Sequence, residues 1–133
     1  MQNWRMVAVG DKKIVLAIDD NAMQLDMFQK MLEVKYDVRT ANSASHALNY
    51  LNSDKADIIL LDIEMPNISG FDFLLDIRRI PSYMDVPIII VSGTVGPGFA
   101  QEAMAASAFD VLHKPVKTES LVETIEKALA TKA

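Results

Sequence analysis

Acidic side chains directly follow two apolar runs of this sequence. Asp19 and Asp20 follow residues 14–18, and Asp62 follows residues 58–61. Both runs have the length and the branched side chains of buried strands. The carboxyl ends of parallel strands converge where open α/β sheets bind ligands, so we expect the three carboxylates to meet there. Because two like charges about 4 Å apart cost roughly 4 kcal/mol at an effective dielectric of 20, the cluster predicts a bound cation.

Ser92 and Lys114 also come directly after strand-like apolar runs. Together with the aspartates, these residue types suit the transfer of a phosphoryl group to a carboxylate. Asp62 would be the ionised acceptor, and oxygen ligands such as Asp20 suit Mg²⁺. Lys114 and Ser92 would hold the remaining phosphoryl oxygens. In this chemistry the protein mainly positions the reacting groups and neutralises their charge.

Strand-like runs alternate with segments of helical period along the whole chain, which is typical of βαβ units around a parallel sheet. Right-handed crossovers then predict a three-layer α/β/α sandwich. Asn21 and Ser43 precede helical segments and are predicted N-caps. The predicted strands are 14–19, 37–41, 57–62, 87–92 and 109–113, and the predicted helices are 22–34, 44–52, 71–79, 99–106 and 118–130.

Composition restricts the class of protein. We expect a flexible N-terminal extension, residues 1–12, and one domain over 13–133. The 13 basic and 18 acidic residues give a net charge of −5, which disfavours nucleic-acid or anionic-membrane binding. The absence of cysteine excludes disulfides and thiolate metal sites. With no signal peptide and no run near the ~20 apolar residues that span a bilayer, a cytoplasmic location is the default.

The chain closely resembles the receiver domain of two-component response regulators from residue 13 to about 131. The resemblance implies a doubly wound, flavodoxin-like α/β fold with a five-stranded parallel sheet in the order 2-1-3-4-5. Each short motif is weak alone, but their order and positions are specific to this family. The matching residues are Asp19-Asp20, Asp62-Ile63-Glu64-Met65-Pro66 leading to Gly70, Ser92, and Lys114-Pro115.

The resemblance also implies the chemistry of the acidic cluster. Asp62 would accept a phosphoryl group from a phosphohistidine on a sensor histidine kinase or a histidine phosphotransfer protein. Asp20 and Asp62 would bind Mg²⁺ directly, together with the backbone carbonyl of Glu64. Asp19 would act mostly through a bound water.

Ser92 and Lys114 would bind the phosphoryl group, and a cis peptide would join Lys114 to Pro115, an isomer realistic only before proline. Phosphorylation would pull Ser92 towards the phosphate and shift the following loop, the helix 99–106 and the fifth strand. The face formed by residues 99–131 would then contact a downstream protein or a second copy of the chain.

Two positions depart from the usual receiver pattern. Val111 stands where receivers commonly have a Tyr or Phe that turns inward on activation, so coupling to the output face is muted or uses other groups. Gly93 and the Gly96-Pro97-Gly98 stretch predict a mobile loop in the absence of phosphate. Glu64 is either a solvent-facing loop residue or one that influences the lifetime of the aspartyl phosphate.

The expected function is a phosphorylation-dependent signalling module with no output domain of its own, and not an enzyme beyond its own phosphorylation and dephosphorylation. A pseudo-receiver that binds partners without phosphorylation is the main alternative. An aspartyl phosphatase would typically need an aspartate at the position of Glu64 and a cap insertion. A nucleotide or flavin binder would place its phosphate where Asp19 and Asp20 would repel it.

Overall fold

The computed structural model describes residues 12–65, 69–94 and 96–132, and all but Lys12 of the expected N-terminal extension lies outside them. Within these residues, strands and helices alternate as predicted. A short 3-10 helix at Pro81–Tyr83 was not predicted. The strands are β1 (Ile14–Ile18), β2 (Asp37–Ala41), β3 (Ile58–Leu61), β4 (Ile88–Ser92) and β5 (Asp110–His113), and the helices are α1 (Ala22–Leu32), α2 (Ala44–Ser53), α3 (Gly70–Arg78), α4 (Phe99–Ala105) and α5 (Thr118–Lys132).

The five strands form one parallel sheet in the order β2-β1-β3-β4-β5, which confirms the predicted fold class. The register determines which strand ends are neighbours. Ile18 of β1 pairs with Leu61 of β3, so Asp19 and Asp62 follow at the same level of the sheet. Ser92 of β4 pairs with His113 of β5, the residue before Lys114.

Alternate side chains of the strands enter two separate apolar layers, one on each face of the sheet. In β1, Leu16 and Ile18 belong to the layer covered by α2, α3 and α4, whereas Val15 and Ala17 belong to the layer under α1 and α5. All four side chains are fully buried. This two-sided burial explains why the central strands read as continuous apolar runs.

Side-chain caps fix the first turns of α1 and α2 as predicted. The Asn21 side-chain oxygen accepts hydrogen bonds from the N–H groups of Met23, at 2.9 Å, and Gln24, at 3.2 Å. The Ser43 hydroxyl accepts one from the N–H of His46, at 3.1 Å. Such caps satisfy N–H groups that have no partner inside the helix. Because α1 begins three residues after Asp19, the cap also fixes how the chain leaves the acidic cluster.

Gly70, the last residue of the receiver-like motif, allows the loop after β3 to fold back closely. A Cβ atom at this position would overlap both the side chain and the backbone of Ile63, the residue after Asp62. Glycine alone therefore fits the start of α3 in this position. The requirement is one of space, not of an unusual backbone conformation.

Arg78 closes the opposite end of the sheet, where the strands begin. Its guanidinium donates hydrogen bonds to the carbonyls of Tyr83, at 3.1 Å, Val86, and Ser107, at 2.6 Å. Its Nε is buried and has no hydrogen-bond partner in the described part of the chain. Burial lowers the pKa of Arg78. Arg78 thus joins α3 to the segments before β4 and β5.

Among the described residues, no helix combines the length and the apolar character needed to cross a membrane. The longest, α5, has 15 residues.

Candidate functional site

The three predicted aspartates come together at the carboxyl end of the sheet. Asp19 and Asp62 are 0% and 6% exposed, whereas Asp20 is exposed to solvent. One carboxylate oxygen from each residue lies within 4.8 Å of the other two. Hard oxygen donors at this separation are the ligands that Mg²⁺ prefers, so the donor set fits the expected ion.

Lys114 contributes a positive charge from the protein itself to this cluster. Its Nζ lies 2.8 Å from Oδ2 of Asp19 and 3.1 Å from Oδ2 of Asp62. Burial acts to lower the pKa of Lys114, but the hydrogen bonds to Asp19 and Asp62 outweigh it, and the pKa is raised. At formal charges, three carboxylates and one ammonium add up to −2, so the cluster favours a divalent cation.

The other oxygen of each buried aspartate is held by the backbone. Oδ1 of Asp19 accepts a hydrogen bond from the N–H of Asn21, and Oδ1 of Asp62 accepts one from the N–H of Glu64, both at 2.9 Å. Burial raises the pKa of Asp19, while the bonds from Lys114 and Asn21 partly oppose it. The two carboxylates are therefore fixed in orientation, with their Oδ2 atoms facing Lys114.

Ser92 is fully buried at the end of β4, and its hydroxyl donates to Oε1 of Glu64 at 3.1 Å. The Thr94 N–H in turn donates to Oγ of Ser92 at 3.3 Å. The pKa of Glu64 is lowered, first by the Thr94 hydroxyl, and also by Ser92 and the backbone N–H groups of Thr94 and Gly93. The Glu64 side chain is exposed but accepts these hydrogen bonds, and no sequence pattern predicted its contact with Ser92.

Val111 of β5 stands where receivers commonly have Tyr or Phe, and the structure shows which side chains pack nearby. Val111 and Phe99 both pack, half-buried, against the apolar layer under α4. The Phe99 ring also contacts Phe71 of α3, with ring centroids 5.6 Å apart and planes inclined at 57°. The peptide between Lys114 and Pro115 is cis, as the resemblance implies.

All the site residues predicted from the sequence thus lie at the carboxyl end of the sheet. Asp19, Asp20, Asp62 and Lys114 form one cluster, and Ser92 is connected to it through Glu64. The predicted mobility of the loop after Ser92 concerns a segment that includes Val95, which lies outside the described residues.

Comparison with known proteins identifies the family. Residues 15–126 match the family model of the response regulator receiver domain. The chain belongs to this family. The receiver domain is 36% identical over 110 residues to the two-component response regulator ARR10 of Arabidopsis thaliana, covering 80% of this chain and 19% of that protein. It is 32% identical over 119 residues to the 3',5'-cyclic-nucleotide phosphodiesterase regA of Dictyostelium discoideum, covering 86% and 15%.

Solved structures agree with this assignment. The chemotaxis protein CheY4 of Vibrio cholerae superposes with a TM-score of 0.83 at 30% identity, over 88% of this chain and 98% of that one. A CheY-like receiver domain from Methanospirillum hungatei gives a TM-score of 0.82 at 26% identity, over 90% and 95%. The receiver domain spans less than a fifth of the length of ARR10 and of regA.

Proposed function

We propose that this receiver domain accepts a phosphoryl group on Asp62 from a phosphohistidine of a sensor histidine kinase or a histidine phosphotransfer protein. The observation that carries the proposal is the meeting of Asp19, Asp20 and Asp62 within 4.8 Å, with Lys114 bonded to two of them. Asp20, Asp62 and the backbone carbonyl of Glu64 would hold Mg²⁺, with Asp19 acting through a water. When bound, the ion neutralises the charge that gathers on the acceptor and phosphoryl oxygens.

The orientation of Asp62 supports its role as the acceptor. Oδ1 of Asp62 accepts a hydrogen bond from the N–H of Glu64, and Oδ2 of Asp62 accepts one from Lys114. Attack by an Asp62 oxygen on phosphorus forms the new O–P bond as the P–N bond to the donor imidazole breaks. The leaving nitrogen keeps the electron pair of that bond and is protonated from solvent. Because an ammonium group has three N–H donors and Lys114 uses two on the aspartates, the third can bind a phosphoryl oxygen.

Ser92 supplies the other protein donor to the phosphoryl group, and its movement would switch the face formed by residues 99–131. That face, which includes α4, β5 and α5, would bind a downstream protein or a second copy of the chain. We assign residues 13–133 to this one signalling domain, with no catalytic activity beyond its own phosphorylation and dephosphorylation.

The test is phosphorylation by acetyl phosphate in the presence of Mg²⁺, followed by intact mass measurement. We expect the wild-type protein to gain one phosphate and Asp62→Asn to gain none. Asp76→Asn, an exposed aspartate of α3 paired with Arg79, is the matched control and should be phosphorylated like the wild type. Phosphorylation of Asp62→Asn would refute the assignment of the acceptor. A wild-type protein that stays unmodified at millimolar Mg²⁺ would favour the phosphorylation-independent pseudo-receiver instead.

A further inference from the structure

The hydroxyl of Ser92 already has an acceptor. A serine hydroxyl carries one proton and can donate one hydrogen bond at a time. In this structure the bond runs to Oε1 of Glu64, at 3.1 Å, with the Thr94 carbonyl at 3.4 Å as the alternative. A phosphoryl oxygen on Asp62 that used Ser92 as a donor would therefore have to displace Glu64.

Glu64 is also well placed to hold the segment after β4. Its own N–H is bonded to the acceptor carboxylate of Asp62, at 2.9 Å, so its position is fixed beside the phosphorylation site. From there its carboxylate binds Ser92, whose oxygen accepts the N–H of Thr94 at 3.3 Å. A carboxylate that accepts from this segment presents the same chemistry as a phosphoryl group, an anion bonded to hydroxyl and N–H donors.

We propose that Glu64 is an internal competitor of the phosphoryl group for the hydroxyl of Ser92. Glu64 holds Ser92 and Thr94 in the resting arrangement until Ser92 donates its hydrogen bond to a phosphoryl group on Asp62 instead. The inference rests on the proposed role of Asp62 and concerns the regulation of the same site. Glu64 is a positioning residue that acts through Ser92. The bond between Glu64 and Ser92 sets a free-energy threshold that phosphorylation must exceed to move the segment after β4.

Two variants of Glu64 distinguish the effect of its hydrogen bond with Ser92 from the effect of its negative charge. Glu64→Asp keeps the negative charge but is one methylene too short to span the 3.1 Å contact with Ser92. Glu64→Gln removes the charge but keeps an oxygen that can accept the bond. Glu33→Gln, an exposed glutamate at the end of α1, is the control for the loss of one negative charge.

The first measurement needs neither metal nor phosphodonor. Amide hydrogen exchange at Gly93 and Thr94 should be roughly three- to tenfold faster in Glu64→Asp than in the wild type, as expected when the hydrogen bonds that Glu64 accepts from this segment are weakened. Glu64→Gln should show a smaller increase, and Glu33→Gln none. Equal exchange rates in the wild type and Glu64→Asp would overturn the proposal.

The second measurement is the affinity for beryllofluoride, a phosphoryl analogue, in the presence of Mg²⁺. Glu64→Asp should bind it roughly three- to tenfold more tightly than the wild type, and Glu64→Gln by a smaller factor. Tighter binding by Glu64→Gln with no change in Glu64→Asp would overturn the competitor role, because charge alone would then explain the effect. A wild-type protein with no beryllofluoride affinity would refute the proposed function. The hydrogen-exchange measurement would still test whether Glu64 holds Ser92 and Thr94.

Discussion

Each end of the sheet contains a half-buried positive charge, but the hydrogen-bond partners of the two charges differ. At the carboxyl end, Lys114 lies between the carboxylates of Asp19 and Asp62, and its pKa is raised. At the amino end, the hydrogen bonds of Arg78 within the described part of the chain go to neutral backbone carbonyls, and burial lowers its pKa. The cluster around Lys114 retains an excess of negative charge, whereas Arg78 has no charged hydrogen-bond partner among the residues that the structure describes.

We infer from this difference that the charge of Lys114 has a functional role and that of Arg78 a structural one. A cation that donates to three backbone carbonyls joins separate segments of the chain and so supports the fold. A cation among three carboxylates leaves their charge only partly compensated, so the cluster still favours a divalent ion. We therefore expect substitutions at the amino end to change stability alone, and substitutions at the carboxyl end to change stability in a way that depends on Mg²⁺.

The largest effect is expected for Arg78→Met. It removes three hydrogen bonds to carbonyls and should lower the free energy of unfolding by about 2–4 kcal/mol, measured by urea denaturation. Arg79→Met, the exposed neighbour that pairs only with Asp76 in the described residues, should cost less than about 0.5 kcal/mol. Adding Mg²⁺ should leave the difference in free energy of unfolding between Arg78→Met and the wild type unchanged. A difference that became smaller with Mg²⁺ would contradict a purely structural role for Arg78.

A smaller and metal-dependent effect is expected for Lys114→Met. Without metal, the loss of the ammonium leaves Asp19 and Asp62 uncompensated and should lower the free energy of unfolding by roughly 1–3 kcal/mol. Saturating Mg²⁺ should restore part of this loss, because the proposed metal site uses the same carboxylates. Lys117→Met, an exposed lysine nearby, should have little effect under either condition. Equal losses with and without Mg²⁺ would mean that the cluster does not bind the ion.

The smallest change, and of opposite sign, is expected for Asp20→Asn. Removing one of three like charges should raise the free energy of unfolding in metal-free buffer by about 0.5 kcal/mol or less, since Asp20 is exposed and its repulsion is screened. The same substitution should weaken Mg²⁺ affinity, measured by titration calorimetry. Asp26→Asn, an exposed aspartate of α1 paired with Lys30, is the control. A loss of stability in Asp20→Asn would contradict the repulsion argument.

Much of the fold followed from local patterns in the sequence. The apolar runs predicted β1 and β3 to within one residue at each end, and Asn21 and Ser43 cap the helices that they were expected to cap. The predicted end of the first helix was less accurate. The helix predicted to reach Val34 ends at Leu32, and Val34 is 82% exposed.

The sequence alone determined which residues meet at the carboxyl end of the sheet. Parallel strands all end at the same edge, so a residue that directly follows such a strand must lie there. Tertiary structure decided which partner each side chain takes. Lys114 reaches Asp19 across 95 positions of sequence, and Ser92 reaches Glu64 across 28. These pairings depend on how segments that are far apart in sequence pack together, and no periodicity or local propensity contains that information.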